Sequence, residues 1–125
     1  MATILYVEDD HLNRRLVQRI LLAEGHEVLE ASNAPEALDV IRAQQPDLIL
    51  MDINMPEVDG FTLTRQIKNN PAWKHIPVIA LTANVMKGDR ERVLQAGCDG
   101  YIQKPIDVDA LPRQIATFLH HKATR

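Results

Sequence analysis

Leu48-Ile49-Leu50-Met51 is an unbroken apolar run that ends on an acid, Asp52. The run is of strand length and shows no polar alternation. A strand with one wet face alternates; a strand covered on both faces does not, and such strands belong to parallel sheets clothed by helices. Two more runs of the same kind lie at Ile4-Leu5-Tyr6-Val7 and Val78-Ile79-Ala80-Leu81. Two weaker segments, Glu27-Val28-Leu29-Glu30-Ala31 and Gly100-Tyr101-Ile102-Gln103, suit the edges of the same sheet.

Helical patterns fill the gaps. Leu12, Leu16 and Ile20, with Val17 and Leu21, form an apolar face at helical spacing, and Gly25 is a natural stop. Asn33 followed by Pro35 and Glu36 predicts a helix start, and Ala37, Leu38 and Ile41 give that helix its apolar face. Asp59-Gly60 opens a third helix carrying Leu63 and Ile67, ended by Pro71. Met86, Val93 and Leu94 mark a fourth, closed by Gly97. Leu111, Ile115 and Phe118 mark a fifth, with His120, His121 and Lys122 at its C-terminal end, where positive charge complements the helix dipole. Pro112 makes this last helix start late, with Asp109 as its cap. A cap at Asp107 would let the proline remove an intrahelical bond, a loss of about 3 kcal/mol. Strand and helix alternate throughout, which implies an α/β fold with a parallel sheet.

The chain has 125 residues, 46% of them apolar and 25% charged. That is one domain's worth of an ordinary globular chain, expected over residues 1–125 with a frayed C-terminus. Collagen, low-complexity disorder and a disulfide scaffold are excluded. The lone cysteine, Cys98, cannot form an internal bridge and suits a reducing compartment, so a cytoplasmic location is expected. Nothing approaches the apolar length of a membrane span, and Met1-Ala2-Thr3-Ile4 does not read as a secretory signal. With 14 basic and 17 acidic residues, the chain lacks the cationic surface that nucleic-acid binding requires.

The residues of chemical interest stand at the ends of the strands. Glu8, Asp9 and Asp10 come after the first, Asp52 ends the third, Thr82 comes after the fourth, and Lys104-Pro105 after the fifth. In a parallel sheet these ends share one edge, and open α/β sheets bind ligands there, near a topological switch point. A pair of carboxylates ~4 Å apart repels by roughly 4 kcal/mol at an effective dielectric of about 20. Such a cluster needs compensation. Lys104 supplies one positive charge, and the all-oxygen donor set selects a hard divalent cation such as Mg²⁺. A carboxylate beside such an ion and a lysine is a nucleophile suited to a phosphoryl group, with a threonine hydroxyl available to the transferring oxygens. Asp52, on the central strand, is the candidate nucleophile.

Other uses of the topology fit less well. Nucleotide binding calls for glycines or hydroxyls after the first strand, where this chain has acids, and no G-x-G-x-x-G or P-loop is present. A phosphatase of the haloacid dehalogenase type needs a second aspartate two residues after the nucleophile, and Asn54 stands there.

The assembled motifs resemble the receiver domain of two-component response regulators, the fold of CheY. The resemblance is carried by Val7-Glu8-Asp9-Asp10, Met51-Asp52-Ile53-Asn54-Met55-Pro56 with Asp59-Gly60, Ala80-Leu81-Thr82-Ala83, and Ala96-Gly97-Cys98-Asp99-Gly100-Tyr101 leading to Lys104-Pro105. It spans essentially the whole chain. Asn84-Val85-Met86-Lys87-Gly88-Asp89 is similar to DivK-type single-domain regulators, and receivers of hybrid histidine kinases look similar too.

The resemblance implies a five-stranded parallel sheet in the order 2-1-3-4-5 with five helices on its two faces. It implies that Asp52 accepts a phosphoryl group from a histidine kinase or phosphotransfer protein, in a self-catalysed step rather than as a multiple-turnover enzyme. Asp9, Asp52 and the backbone carbonyl of Asn54 would bind Mg²⁺ directly, with Mn²⁺ able to substitute, and Glu8 would hold it through water. Thr82 and Lys104 would grip the phosphoryl oxygens, and Thr82 and Tyr101 would form the switch. Lys104-Pro105 would be a cis peptide. Asn54 and Asn84 occupy positions that tune the lifetime of the phosphoryl group. The face made by the fourth helix, fifth strand and fifth helix would meet a downstream protein, with no nucleic acid or membrane as partner and the chain a monomer or weak dimer. The alternatives are a receiver domain excised from a hybrid histidine kinase and a non-phosphorylated pseudo-receiver acting as an interaction module.

Several of these residues also have ordinary structural uses. Asp10 serves equally as a helix cap, and Asp59 as a cap or turn residue. Tyr101 alone reads as a half-buried edge residue, Cys98 as inert, and the five histidines show no metal spacing. Arg14-Arg15, Lys87, Arg90 and Arg92 read as solvated helix faces.

Overall fold

The computed structural model describes residues 2–53, 60–83 and 89–123, the last stretch by backbone alone at 89, 90 and 121–123. The elements run β1 (Thr3–Val7), α1 (His11–Ala23), β2 (Glu27–Ala31), α2 (Ala34–Ala43), β3 (Leu48–Asp52), α3 (Gly60–Lys68), β4 (Val78–Thr82), α4 (Asp89–Ala96), β5 (Gly100–Gln103) and α5 (Leu111–Ala123). All strand pairs are parallel, in the order β2-β1-β3-β4-β5. The two partly polar strands, β2 and β5, are the edges, as their composition predicted.

The central strands lack polar alternation because each of their faces feeds a different core. Leu5 and Val7 of β1, Ile49 and Met51 of β3, and Val78 and Ala80 of β4 pack with Ala37 and Ile41 of α2, Leu63 and Ile67 of α3 and Val93 of α4. The intervening residues Ile4, Tyr6, Leu48, Leu50, Ile79 and Leu81 pack with Val17 and Leu21 of α1 and Leu111 and Ile115 of α5. A period of two therefore sends every residue into one apolar layer or the other. Gly25 and Gly97, expected as helix stops, both adopt positive φ, 86° and 98°.

Three helices depart from the periodicity reading. In α1 the buried stripe is Val17 and Leu21, while Leu12 and Leu16 are 76% and 44% exposed. Leu94 of α4 is likewise exposed. Each lies on the flank of its apolar stripe, beyond the strip that the sheet covers. α5 does begin late, but its carboxylate is not Asp109's. Asp107 Oδ1 accepts the amides of Asp109 and Ala110 at 3.0 and 3.2 Å, closing a turn ahead of Leu111. Pro112 then falls in the first turn of α5, where an amide has no intrahelical partner to lose. α2 keeps to the expected pattern: Asn33 Oδ1 accepts the Glu36 amide at 2.9 Å, and Glu36 reaches back to the amide and hydroxyl of Ser32.

Gly60 sets how closely α3 approaches the end of β3. A β-carbon there would lie 2.7 Å from the Ile53 α-carbon and 2.9 Å from the Asp52 carbonyl oxygen, both backbone atoms. Gly60→Ala should therefore destabilise the protein by about 1–3 kcal/mol in urea titration, despite alanine's better helix propensity. An unchanged midpoint would mean that β3 and α3 separate without strain.

Candidate functional site

The strand order reverses at β1, which has β2 on one side and β3 on the other. Neighbouring strands there send their connections to opposite faces of the sheet, leaving a crevice at the carboxyl ends of β1 and β3. Glu8 and Asp9 leave β1 at this edge and Asp52 ends β3 beside them. One carboxylate oxygen from each of the three lies within 4.8 Å of the others. Glu8 and Asp52 are buried, 1% and 3% exposed, and Asp9 is exposed. Glu8 is held in place by the Ala31 carbonyl, which accepts its amide at 3.0 Å.

Lys104 arrives from β5. Its amide donates to the Thr82 carbonyl at 2.8 Å, and the Lys104-Pro105 peptide is cis. Its Nζ donates to Asp52 Oδ2 at 3.1 Å and to Glu8 Oε1 at 3.4 Å. Thr82 ends β4, the strand next to β3, and is fully buried. The far-flung residues Glu8, Asp9, Asp52, Thr82 and Lys104 thus share one rim, as their positions after the strands predicted. Tyr101 is half-buried on β5 and packs on the layer formed by α2, α3 and α4. Asn54, Asp59, Asn84 and Met86 lie outside the described residues.

One ammonium does not balance three acids. Burial, then the adjacent Asp52 carboxylate, holds Glu8 well above the usual carboxylate range, while Lys104 pulls the other way. The cluster stores repulsion that a cation would relieve. Its donors are all oxygens, which fits a hard divalent ion that keeps part of its water shell. Glu8, Asp9 and Asp52 could hold such an ion.

Other contacts were not visible in the sequence. The Tyr6 hydroxyl donates to Glu8 Oε1 at 3.2 Å, and burial followed by the Glu8 charge holds the phenol above its ordinary range, so it remains a donor. Arg14, expected on a solvated face, instead donates to the Glu8 carbonyl at 2.7 Å. Asp10 resolves as the cap of α1, accepting the Leu12 and Asn13 amides at 2.9 and 3.2 Å. Arg92 is exposed, as expected, and also stacks over the Phe61 ring, 4.5 Å from its centroid. Cys98 is buried, which pushes its thiol up to about 11 and leaves it unreactive.

The response regulator receiver domain profile matches residues 4–116. The chain belongs to the response regulator receiver family. Among its curated relatives, the polar-differentiation response regulator DivK of Brucella anthropi is 46% identical over 117 residues, which cover 94% of this chain and 95% of the relative. DivK of Brucella ovis is 45% identical over the same length. The fold is shared with the receiver domain of a sensor histidine kinase from Pseudomonas aeruginosa PAO1, described with magnesium in its active-site cleft. That chain superposes with a TM-score of 0.86 and 35% identity, over 95% of this chain and 98% of the other. A CheY-like receiver from Methanospirillum hungatei superposes with a TM-score of 0.90 and 29% identity, over 99% and 98% of the two chains. This receiver therefore serves two-component signalling and is DivK-like. No helix among the described residues is long and apolar enough to cross a membrane.

Proposed function

We propose that this receiver is a magnesium-dependent phosphoacceptor switch, phosphorylated at Asp52 by a histidine kinase or histidine phosphotransfer protein. The observation that carries the proposal is the Lys104 ammonium, 3.1 Å from Asp52 and 3.4 Å from Glu8, on a rim shared with Asp9. A carboxylate oxygen of Asp52 attacks phosphorus; the Asp52 O–P bond forms as the N–P bond of the donor phosphohistidine breaks, and the imidazole leaves with the electron pair. Lys104 pairs with the Asp52 carboxylate and then meets the charge on the transferring oxygens. Thr82, buried at the end of β4, offers its hydroxyl to one of them. Asp9, Asp52 and the Asn54 carbonyl would hold the metal, with Glu8 acting through water. Magnesium supplies further positive charge at the phosphoryl group. The magnesium described for the Pseudomonas relative supports this assignment.

An open groove of about 370 Å³ runs beside Lys104, lined by Asn13, Leu16, Ala83, Pro105 and Ile106. With the exposed Leu12 and Leu16, it offers an apolar approach for the donor protein next to the acceptor. Phosphorylation draws Thr82 and Tyr101 inward and remodels the α4–β5–α5 face, which then binds a downstream protein. The chain acts in the cytoplasm as a phosphoacceptor and not as a multiple-turnover enzyme.

The test is phosphotransfer from the autophosphorylated histidine kinases of the host, profiled one by one. At least one kinase should label the chain within a short incubation, and chelation of magnesium should abolish the label. A chain that no kinase labels, with magnesium present, is an interaction module instead.

A further inference from the structure

We infer that Tyr6 is a positioning residue for the metal site, its buried hydroxyl fixing the Glu8 carboxylate where Lys104 also grips it; the inference rests on the phosphoacceptor proposal. Ile4 and Tyr6 of β1 face the layer covered by α1 and α5, and Glu8 follows two residues after Tyr6, just past the strand's end. Tyr6 is fully buried in a layer whose other buried members are aliphatic, among them Leu48, Leu50, Val17 and Leu21. An aliphatic side chain would satisfy such a layer. The phenol adds one polar atom, and that atom is aimed at the rim, where it donates to Glu8 Oε1 at 3.2 Å. Lys104 Nζ lies 3.4 Å from the same oxygen. Arg14 holds the Glu8 backbone carbonyl at 2.7 Å, so the residue is anchored at both ends.

The length of the side chain explains the need for that anchor. A glutamate has one more rotatable bond than an aspartate, so its carboxylate samples more positions unless something restrains it. Hydrogen bonds from outer partners orient the carboxylates of metal sites, and losing one typically weakens metal binding 10- to 100-fold. Here the restraint comes from beneath the sheet edge rather than from solvent. An aspartate in place of Glu8 would draw its oxygens back by one methylene and leave the phenol out of reach.

Tyr6→Phe keeps the ring and its burial and removes only the hydroxyl. Magnesium binding to the metal-free protein is measured by calorimetric titration for the native chain, Tyr6→Phe, Glu8→Asp and the double variant. Tyr6→Phe should weaken magnesium binding about tenfold in the native background. The same substitution should change binding less than about twofold in the Glu8→Asp background, because the carboxylate it would release is no longer within reach. Native affinity in Tyr6→Phe overturns the inference. An equal loss in both backgrounds also overturns it, since the hydroxyl would then act through packing. A native chain that binds magnesium and takes up phosphate, beside an indifferent Tyr6→Phe, removes the role of Tyr6 alone. A native chain that does neither removes the phosphoacceptor proposal and this inference with it.

Discussion

Asp52→Asn takes up no phosphoryl group from acetyl phosphate and magnesium, whereas the native chain gains one, read by intact mass. The expectation comes from how the acids of the rim differ. Asp52 is buried with its Oδ2 3.1 Å from the Lys104 ammonium. An amide in its place has no anionic oxygen to attack phosphorus. Glu8 cannot substitute, because its carboxyl is held above the usual carboxylate range and Oε1 is engaged by both Tyr6 and Lys104. Asp9 is exposed and sits outside the buried pair that Lys104 bridges. The loss should therefore be complete within detection. An equal mass gain in Asp52→Asn would place the acceptor elsewhere and defeat the assignment.

The same substitution should stabilise the metal-free protein. Glu8 is raised from an ordinary value of 4.5 to about 8, by burial first and then by Asp52. Between those two values the folded chain keeps a proton that the unfolded chain has released. The stabilisation is fully present below about 4.5 and is lost as the pH rises through about 8, so metal-free stability falls across that window. Asp52→Asn removes the neighbouring charge and leaves only burial to raise Glu8, so the slope shrinks. At pH near 8 the variant should melt about 5 °C above the native chain in a chelator, equivalent to roughly 1 kcal/mol. Magnesium should reverse the order by raising the native melting temperature more than that of the variant. Calorimetric scans from about pH 5 to about pH 8.5, with chelator and with magnesium, read both effects. A native melting curve indifferent to pH and to magnesium would show that the acids are not under mutual strain.

The strands and the rim were legible because both arise from local rules. Leu48 to Met51 and Val78 to Leu81 read as buried strands because each residue enters one of two apolar layers, so the pattern has no polar gaps. Asp9, Asp52, Thr82 and Lys104 could be grouped because parallel strands deliver their carboxyl ends to one edge. The flanks of helices were less legible. Periodicity marks an apolar stripe, but only the width of the covering sheet decides that Val17 is buried while Leu12 and Leu16 stay exposed. The cap of α5 failed for a related reason. Asp107 and Asp109 are equivalent in local pattern, and the turn at 108–110 selects Asp107.

The order of apolar and polar residues along the chain was enough for the α/β class, the edge strands and the set of residues at the rim, since these depend on periods of a few residues. The partners of individual polar atoms were not. Lys104 and Glu8 are separated by 96 residues, and their 3.4 Å contact exists only once β1 and β5 are in place. The Tyr6 hydroxyl could have found water or a backbone carbonyl equally well from its position in the sequence. Side-chain hydrogen bonds act over about 3 Å, so which one forms is settled by packing in three dimensions, and that packing turns a row of acids into a site.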